Sequence, residues 1–256
     1  MAALKHPALR AIVLFWAVVL VLRLWVAWDL GLAADEAYYW LWSENLSWGY
    51  FDHPPAIAIW IRSSTALFGQ SEIGVRALGL LVQSVVMILL VWEAAQSKKT
   101  DSMLLCVLLV CPLFALGGIL TTPDAPLLVA WAGGMIAAKR KAWALLGVCA
   151  GLAMLSKFTG YLLLPAVALA YPRLWRGWIR SVGIATVLVL PNWIWSAKNE
   201  WVSFRFQLDH GFGDDSGGLL SVLEGIGSQA LVVGPFFFLA GVIWLWFKRG
   251  ERGLFW

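Results

Sequence analysis

The amino-acid sequence predicts an all-α protein, a polytopic bundle of about eight transmembrane helices with further interfacial helices in its outer loops. Hydrophobic residues make up 61% of the 256 residues, charged residues make up only 13%, and the mean hydropathy is +0.77. Such a composition cannot cover a soluble globule with polar surface. Apolar windows long enough to cross roughly 30 Å of hydrocarbon also recur along the whole chain, and Lys and Arg concentrate in alternate loops.

The predicted spans follow the apolar windows in order, at about 8–30, 73–95, 103–120, 124–138, 142–155, 159–171, 181–197 and 229–247. The first begins after Lys5 and Arg10 like a signal peptide, but its apolar core is longer than a typical h-region, which predicts a retained anchor. The segments on either side of Ser156 and Lys157 are short. A single crossing there would put the following arginines outside, so we expect two tilted or re-entrant pieces with Lys157 at their outer tip.

The Lys/Arg bias orients these spans. With the amino terminus in the cytoplasm, thirteen of the nineteen basic residues and only three of the fifteen acids lie inside. This predicts a multi-pass protein of the bacterial inner membrane, with outer loops at about 31–72 and 198–228 and a site facing the periplasm. Both loops are too long to be mere connectors, and the apolar run 56–61 before Arg62 suits an interfacial helix. We expect one transmembrane domain over 1–256.

Other classes of protein fit the sequence poorly. The three cysteines, Cys106, Cys111 and Cys149, lie in apolar stretches without metal-ligand or redox spacing, so they are expected to pack as small hydrophobic residues. The net charge of +4 is not arranged as a basic stripe interleaved with exposed aromatic residues, so no nucleic-acid partner is expected.

Asp35 and Glu36 form the first candidate site, directly after the first predicted span and beside several aromatic residues. A carboxylate at the outer boundary between water and lipid can accept a proton from an incoming acceptor group or orient it. The alternative is a solvated helix N-terminus, where the acids favour the helix dipole.

The segment Tyr50-Phe51-Asp52-His53-Pro54-Pro55 is the second candidate, because an acid and an imidazole precede two stiffening prolines. Asp52 is suited to bind a cation and His53 to meet a phosphate, whereas the alternative is a turn with an exposed acid. His210, in the second long loop, is able to join Asp52 in supplying a nitrogen and an oxygen to a divalent metal.

Three charged residues complete the set of candidates. Asp124, in Thr121-Thr122-Pro123-Asp124, is expected on an outer connection, where it either contacts substrate or caps the following helix. Lys157 is expected below the outer surface, where an ionisable group marks a functional site and a lysine suits an anionic headgroup. Snorkelling to the interface is the alternative for Lys157. Arg205, in the second long loop, is a further candidate for the carrier phosphate.

Taken in order, these motifs resemble the GT-C glycosyltransferases, in particular the bacterial branch similar to protein O-mannosyltransferases and the lipid A aminoarabinose transferase. The resemblance covers about residues 10–250 and lies in the order of the motifs: Asp35-Glu36-Ala37-Tyr38-Tyr39, Tyr50 to Pro55, Leu67-Phe68-Gly69 with Gly74-Val75-Arg76, Pro123-Asp124, Ser156-Lys157 and Asp209-His210. It implies a polyprenyl-phosphate sugar donor, a lipid, glycan or protein acceptor arriving from the outer face, and inversion at the anomeric carbon.

The resemblance also implies roles for single residues. Asp35 matches an acid that activates or orients the acceptor, with Glu36 beside it. Asp52 and His53 match groups near the carrier phosphate, although relatives often have lysine in place of His53. Lys157 matches a lysine lining the same cavity, and His210 matches a histidine that joins Asp52 at a metal.

Two alternatives to a complete enzyme remain at this point. Family members commonly continue through further spans and a soluble outer domain, and the closing Leu254-Phe255-Trp256 resembles the start of another span. We therefore also expect that the chain is a truncated form, a fragment or a minimal member that works with a partner subunit. A non-catalytic carrier or flippase for lipid-linked sugars would need a similar basic cavity, but paired broken helices or inverted halves are not evident in the sequence.

Overall fold

The computed structural model describes residues 7–95, 118–171 and 175–212. Over these residues the chain forms nine α-helices and one 3-10 helix, and no strand. They are α1 (Pro7–Asp29), α2 (Ala34–Glu44), α3 (Ala56–Phe68), α4 (Glu72–Ala95), α5 (Asp124–Lys139), α6 (Trp143–Ser156), the 3-10 helix (Phe158–Leu162), α7 (Leu163–Ala170), α8 (Trp175–Lys198) and α9 (Val202–Phe212).

The prediction of an all-α membrane protein is confirmed for the described residues. Each predicted span within them contains a helix close to the expected bounds, and the first long loop contains α2 and α3. The predicted spans at 103–120 and 229–247 fall wholly or almost wholly outside the described residues, so the total of eight spans stays a prediction.

The apolar helices that the structure describes differ in length. Glu72–Leu89 and Arg176–Lys198 are long and apolar enough to cross a bilayer, whereas α3, α6 and the pair Phe158–Ala170 are apolar but shorter. The helices Val13–Asp29 and Ala34–Glu44 meet at an angle of 78°, so α2 does not continue the direction of α1. This bend fits the alternative interpretation, in which Asp35 and Glu36 lie at the N-terminus of a helix.

The described residues belong to two compact units. The smaller comprises the first part of α1, up to Arg23, and the last part of α4, from Met87. Within it Arg23 is buried, and its guanidinium lies 4.7 Å from the ring centre of Trp16. The larger unit comprises Leu24–Val86 and Ile119–Gly211, and it contains every candidate residue whose side chain the structure describes.

Two apolar clusters organise the larger unit. One joins α5, α6, α7 and α8, where Leu146, Leu163 and Val189 are fully buried. Small residues allow the close packing, because a Cβ at Gly147 would lie 2.7 Å from the Ser181 carbonyl oxygen. The other cluster packs α2 against α3 and the start of α4, and its buried members are Tyr39, Trp42, Ile57, Ala58, Ile61 and Val75. These clusters fix the helix ends that carry the candidate residues.

Candidate active site

A buried ion pair between Glu36 and Arg76 lies at the base of the site. Arg76 Nε donates to Glu36 Oε1 at 2.9 Å and Nη2 donates to Oε2 at 2.5 Å, and the two side chains are at most 1% exposed. Glu36 also accepts the backbone N–H groups of Ala33, at 3.1 Å, and Thr121, at 2.9 Å. A buried charge pair is tolerated when its remaining polar atoms are hydrogen-bonded, as they are here.

Arg76 uses its remaining donors on the end of α1. Nη1 donates to the carbonyls of Ala27 and Leu30, at 3.0 and 2.5 Å, and Nη2 donates to Gly31, at 2.9 Å. The last carbonyls of a helix have no partner within the helix, and a guanidinium has five N–H donors with which to satisfy them. The ion pair therefore joins the end of α1, the start of α2, the α4 helix and the segment before α5.

Asp35 lies next to this pair on the exposed side of α2. It occupies the first turn of α2, as the dipole interpretation predicts, and its side chain is exposed to solvent. Glu36 is fully buried, so the two adjacent acids face different environments. This burial favours a positioning role for Glu36, while the catalytic role predicted for both acids remains untested by the geometry.

Stacked aromatic rings shape the loop that carries Asp52 and His53. The Tyr50 ring stacks on Trp42 with centres 4.3 Å apart and planes 5° apart. The Tyr50 N–H donates to the His53 carbonyl at 3.1 Å, which closes a turn before Pro54 and Pro55. Asp52 is half-buried in this turn, unlike the exposed acid of the alternative interpretation.

Side chains from α8 and α9 hold the same loop through its backbone carbonyls. Asn192 donates to Trp48 at 2.7 Å, and Gln207 donates to Asp52 at 3.0 Å. The Ser203 hydroxyl donates to the Tyr50 carbonyl. Because these bonds use carbonyl oxygens, they fix the loop and leave the Asp52 and His53 side chains to other partners.

Asp52 and His53 each retain an unpaired polar atom. Within the described part of the chain, Asp52 Oδ1 and His53 Nδ1 are buried without a hydrogen-bond partner. Leaving a buried polar atom unpaired costs about 1 to 3 kcal/mol, so each of these atoms is expected to bind a water molecule, an ion or a polar group of a ligand.

Charged groups from four segments surround His53. Burial lowers the pKa of His53 below its ordinary 6.5, and the positive charge of Lys157 lowers it further. The negative charges of Asp52, Asp124 and Asp35 act in the opposite direction but do not cancel the shift. The imidazole is therefore neutral at pH 7, and it offers a hydrogen bond but no positive charge.

Two tyrosines of α2 face the same group of acids. Burial, the charge of Asp52 and a hydrogen bond to that carboxylate together raise the pKa of Tyr38. Burial first, then the charges of Asp52, Asp35 and Asp124, raise the pKa of Tyr39. Both hydroxyls therefore stay protonated, and both are able to donate hydrogen bonds within the site.

Lys157 and Asp124 form a partly solvent-exposed ion pair at the edge of the site. Lys157 Nζ donates to both carboxylate oxygens of Asp124 at 2.9 Å, and the two side chains are 33% and 51% exposed. Asp124 is the first residue of α5 and not its N-cap. Lys157 follows α6 in extended backbone, and the 3-10 helix after it packs closely, because a Cβ at Gly160 would lie 2.1 Å from the Ala153 carbonyl oxygen.

The structure thus brings together five of the predicted residues, which we call the acidic cluster: Asp35, Asp52, His53, Asp124 and Lys157. Its members come from α2, the following loop, α5 and the end of α6. The cluster contains three carboxylates, one ammonium group and one neutral imidazole, and Lys157 contacts Asp124 directly. The arrangement is suited to orient hydroxyl groups, to accept a proton and to place one cation beside a phosphate.

Arg205 lies in a different place. It pairs with Glu200 at 3.7 Å on the solvent-exposed side of α9, and it lines a cleft with Lys198, Asp209 and other residues. The predicted contact between Arg205 and the carrier phosphate is not among the contacts of the acidic cluster.

The metal site predicted at Asp52 and His210 has one side chain, that of Asp52, within the described residues. His210 belongs to α9, but its side chain lies outside the described residues. Among the side chains that the structure describes, no three His, Cys, Asp or Glu residues come together as metal ligands. Asp52 has a free buried oxygen that suits a cation, so a metal at Asp52 and His210 stays a prediction.

The sequence interpretation gave no role to Arg76, Tyr38 or Gln207. Arg76 could have been noticed, because an arginine in the second turn of an apolar span is expensive without a buried partner. Gln207 carried no such signal, since its contact with Asp52 joins residues 155 positions apart.

Comparison with known proteins identifies a family for this chain. The family model for dolichyl-phosphate-mannose-protein mannosyltransferases matches residues 52–195, which is more than half of the chain. The matched range begins at Asp52 and contains Asp124 and Lys157, while Asp35 precedes it.

One curated relative extends the similarity to most of the chain. The lipid A galacturonosyltransferase RgtD of Rhizobium johnstonii is 31% identical over 231 residues, which is 82% of this chain and 48% of that protein. The chain therefore spans about half the length of this relative. No solved structure matches the chain significantly.

Proposed function

Because this chain belongs to the dolichyl-phosphate-mannose-protein mannosyltransferase family of GT-C membrane glycosyltransferases, we propose that it moves a sugar from a polyprenyl-phosphate donor to an acceptor. The transfer takes place at the outer face of the bacterial inner membrane. The observation that carries the proposal is the acidic cluster, in which an exposed carboxylate, Asp35, shares one electrostatic environment with the half-buried Asp52 and His53 and with Lys157.

The donor headgroup is assigned to Asp52, His53 and Lys157. The family is named for a polyprenyl-phosphate sugar, which supports a donor of this class. Lys157 supplies the positive charge for the phosphate, and the unpaired Nδ1 of His53 offers it a hydrogen-bonding atom. Asp124 holds the Lys157 ammonium in place through both carboxylate oxygens.

Asp35 is assigned to the acceptor. An acceptor hydroxyl gives its proton to the Asp35 carboxylate as its oxygen bonds to the anomeric carbon, while the bond from that carbon to the phosphate oxygen breaks. The phosphate leaves with the bonding electrons, and Lys157 stabilises its growing charge. Attack opposite the leaving group inverts the anomeric carbon.

Glu36 is assigned a positioning role. Its carboxylate accepts four hydrogen bonds and is fully buried, so it fixes the start of α2, and with it Asp35, relative to the segment that leads to Asp124. Positioning of this kind matters because small displacements of a reacting group reduce rates strongly.

A reconstituted transfer assay tests this function. Purified chain in lipid nanodiscs receives a radiolabelled polyprenyl-phosphate sugar and membrane glycolipids, and formation of labelled glycolipid is measured. We expect a product that depends on the chain, on the donor and on the acceptor. Movement of labelled donor across a proteoliposome membrane without any glycosidic product would contradict transfer and support a carrier or flippase.

The assay also separates a complete enzyme from a subunit. Activity of the isolated chain would exclude a required partner. Activity that appears only after a co-purified polytopic subunit is added would support a chain that works as one part of a larger glycosyltransferase.

A further inference from the structure

The cleft that Arg205 lines lies beside the loop of Asp52, outside the acidic cluster. It has a volume of about 590 Å³ and is formed where α8 ends and α9 begins. The residues that line it are Phe51, Lys198, Asn199, Glu200, Val202, Arg205, Phe206 and Asp209. A saccharide unit fits comfortably in a cleft of this size.

The lining has the chemistry that recognises sugars. Lys198 and Arg205 supply two cations, and Glu200 and Asp209 supply two acids, so the charges balance. A site built for a free phosphate would have an excess of cations, whereas sugar hydroxyls both donate and accept hydrogen bonds and suit a mixed lining. The rings of Phe51 and Phe206, with centres 5.0 Å apart, offer an apolar surface to the C–H face of a sugar.

The position of the cleft points to an amphiphile. Arg176–Lys198 is long and apolar enough to cross a bilayer, and the cleft lies at the carboxyl end of this span. Trp201 follows the span with 43% of its surface exposed, as is common for tryptophan at the boundary between lipid and water. A ligand bound at this end of the span can place its polar head in the cleft and its acyl chains in the lipid.

The turn that forms the cleft adopts an unusual backbone. Glu200 and Trp201 have φ angles of 55° and 57°, in the left-handed region that residues with a side chain rarely adopt. The Trp201 N–H donates to the Ser196 carbonyl at 2.7 Å and holds this turn. Backbone strain of this kind is concentrated at functional sites.

The cleft is joined directly to the loop that carries Asp52 and His53. Phe51 precedes Asp52 in the chain, and Gln207 of α9 donates to the Asp52 carbonyl at 3.0 Å. We propose that this cleft is the acceptor subsite and that it takes the saccharide head of a membrane glycolipid; this inference rests on the proposed glycosyltransferase function and names its acceptor class. Arg205 accordingly contacts the acceptor, in place of the carrier phosphate.

A kinetic comparison tests the assignment of Arg205. Arg205 is 66% exposed and touches Glu200 at 3.7 Å, so Arg205→Gln is expected to leave the fold intact. The matched control is Arg62→Gln, because Arg62 is also an exposed arginine paired with an acid, Glu44, but lies outside both the cleft and the acidic cluster. The probes are lipid A as acceptor and polyprenyl-phosphate galacturonate as donor, because RgtD is a lipid A galacturonosyltransferase and a polyprenyl-phosphate carrier is proposed above.

We expect Arg205→Gln to raise the KM for lipid A about tenfold, the usual effect of losing a charged hydrogen bond, and to leave the KM for the donor unchanged. Arg62→Gln should change neither constant. A rise in the donor KM alone, or no change in either constant, would overturn the acceptor assignment while leaving the transferase function standing.

Photocross-linking tests the cleft without any need for activity. Benzoylphenylalanine replaces Phe206, which lines the cleft, or Leu208, which is 58% exposed on the same helix but does not line it. After irradiation in native membranes, mass spectrometry identifies the captured lipids. Glycolipid captured at position 206 and only phospholipid at position 208 would support the subsite; the same phospholipids at both positions would overturn it, whether or not transfer is detected.

Discussion

The guanidinium of Arg76 meets both carboxylate oxygens of Glu36 at a point that solvent does not reach, and the remaining N–H groups of Arg76 satisfy carbonyls at the end of α1. This pair fixes the bend after α1. Asp35 is thereby held near the other members of the acidic cluster.

Removing either partner of this pair is expected to destabilise the protein strongly. Glu36→Gln or Arg76→Met leaves a buried charge without its counter-charge, which typically costs about 3 to 5 kcal/mol. Thermal unfolding of the purified protein in detergent measures the loss. The control is the exposed pair of Arg62 and Glu44, whose removal is expected to cost about 0 to 1 kcal/mol. Equal effects of Glu36→Gln and Arg62→Gln would contradict the positioning role of Glu36.

Lys157 and Asp124 should affect activity more than stability. Their contact is partly exposed, so Asp124→Asn is expected to change the free energy of unfolding by about 0 to 1 kcal/mol. Lys157→Gln should lower kcat about a hundredfold, because it removes the cation beside the leaving phosphate. Asp124→Asn should lower kcat less, about tenfold, because it frees the ammonium without removing it.

Steady-state kinetics together with melting temperatures test whether Lys157 and Asp124 affect activity more than stability. If Lys157→Gln lowered the melting temperature and left kcat unchanged, the lysine would be a structural residue, and its assignment to the donor phosphate would be wrong.

The metal prediction has its own test. If Asp52 and His210 hold a divalent cation, a chelator should abolish transfer, and added Mg²⁺ or Mn²⁺ should restore it. Asp52→Asn should then raise the metal concentration needed for half-maximal activity. Full activity after exhaustive treatment with chelator would remove the metal role from both residues.

The helices could largely be predicted from the sequence, because the length of an apolar segment indicates whether it can span a membrane and the Lys/Arg bias predicts its orientation. The helices near residues 8–30, 73–95 and 124–138 lie close to their predicted bounds. The resemblance to GT-C glycosyltransferases is also confirmed. The order of its motifs predicts from the sequence alone that Asp52, Asp124 and Lys157 belong to one site.

The different environments of Asp35 and Glu36 could not be predicted from the sequence. Asp35 and Glu36 are adjacent and chemically alike, and only tertiary packing shows that one is exposed and the other is paired with Arg76, forty residues later. The separate location of Arg205 is a second example. Its membership of a long loop with acids and glycines gave no indication of which surface it faces, since that depends on the turn at Glu200 and Trp201.

The central claim is that Asp35 handles the acceptor in a glycosyl transfer, and a single-turnover measurement on Asp35→Asn tests it most directly. Asp29→Asn is the matched control, because Asp29 is also an exposed acid, at the end of α1, and has no assigned role. With donor and acceptor bound, we expect Asp35→Asn to slow transfer about a hundredfold or more, as loss of a general base does, while its melting temperature and donor binding match those of the wild type. Transfer by Asp35→Asn at the rate of wild type and Asp29→Asn would contradict the account.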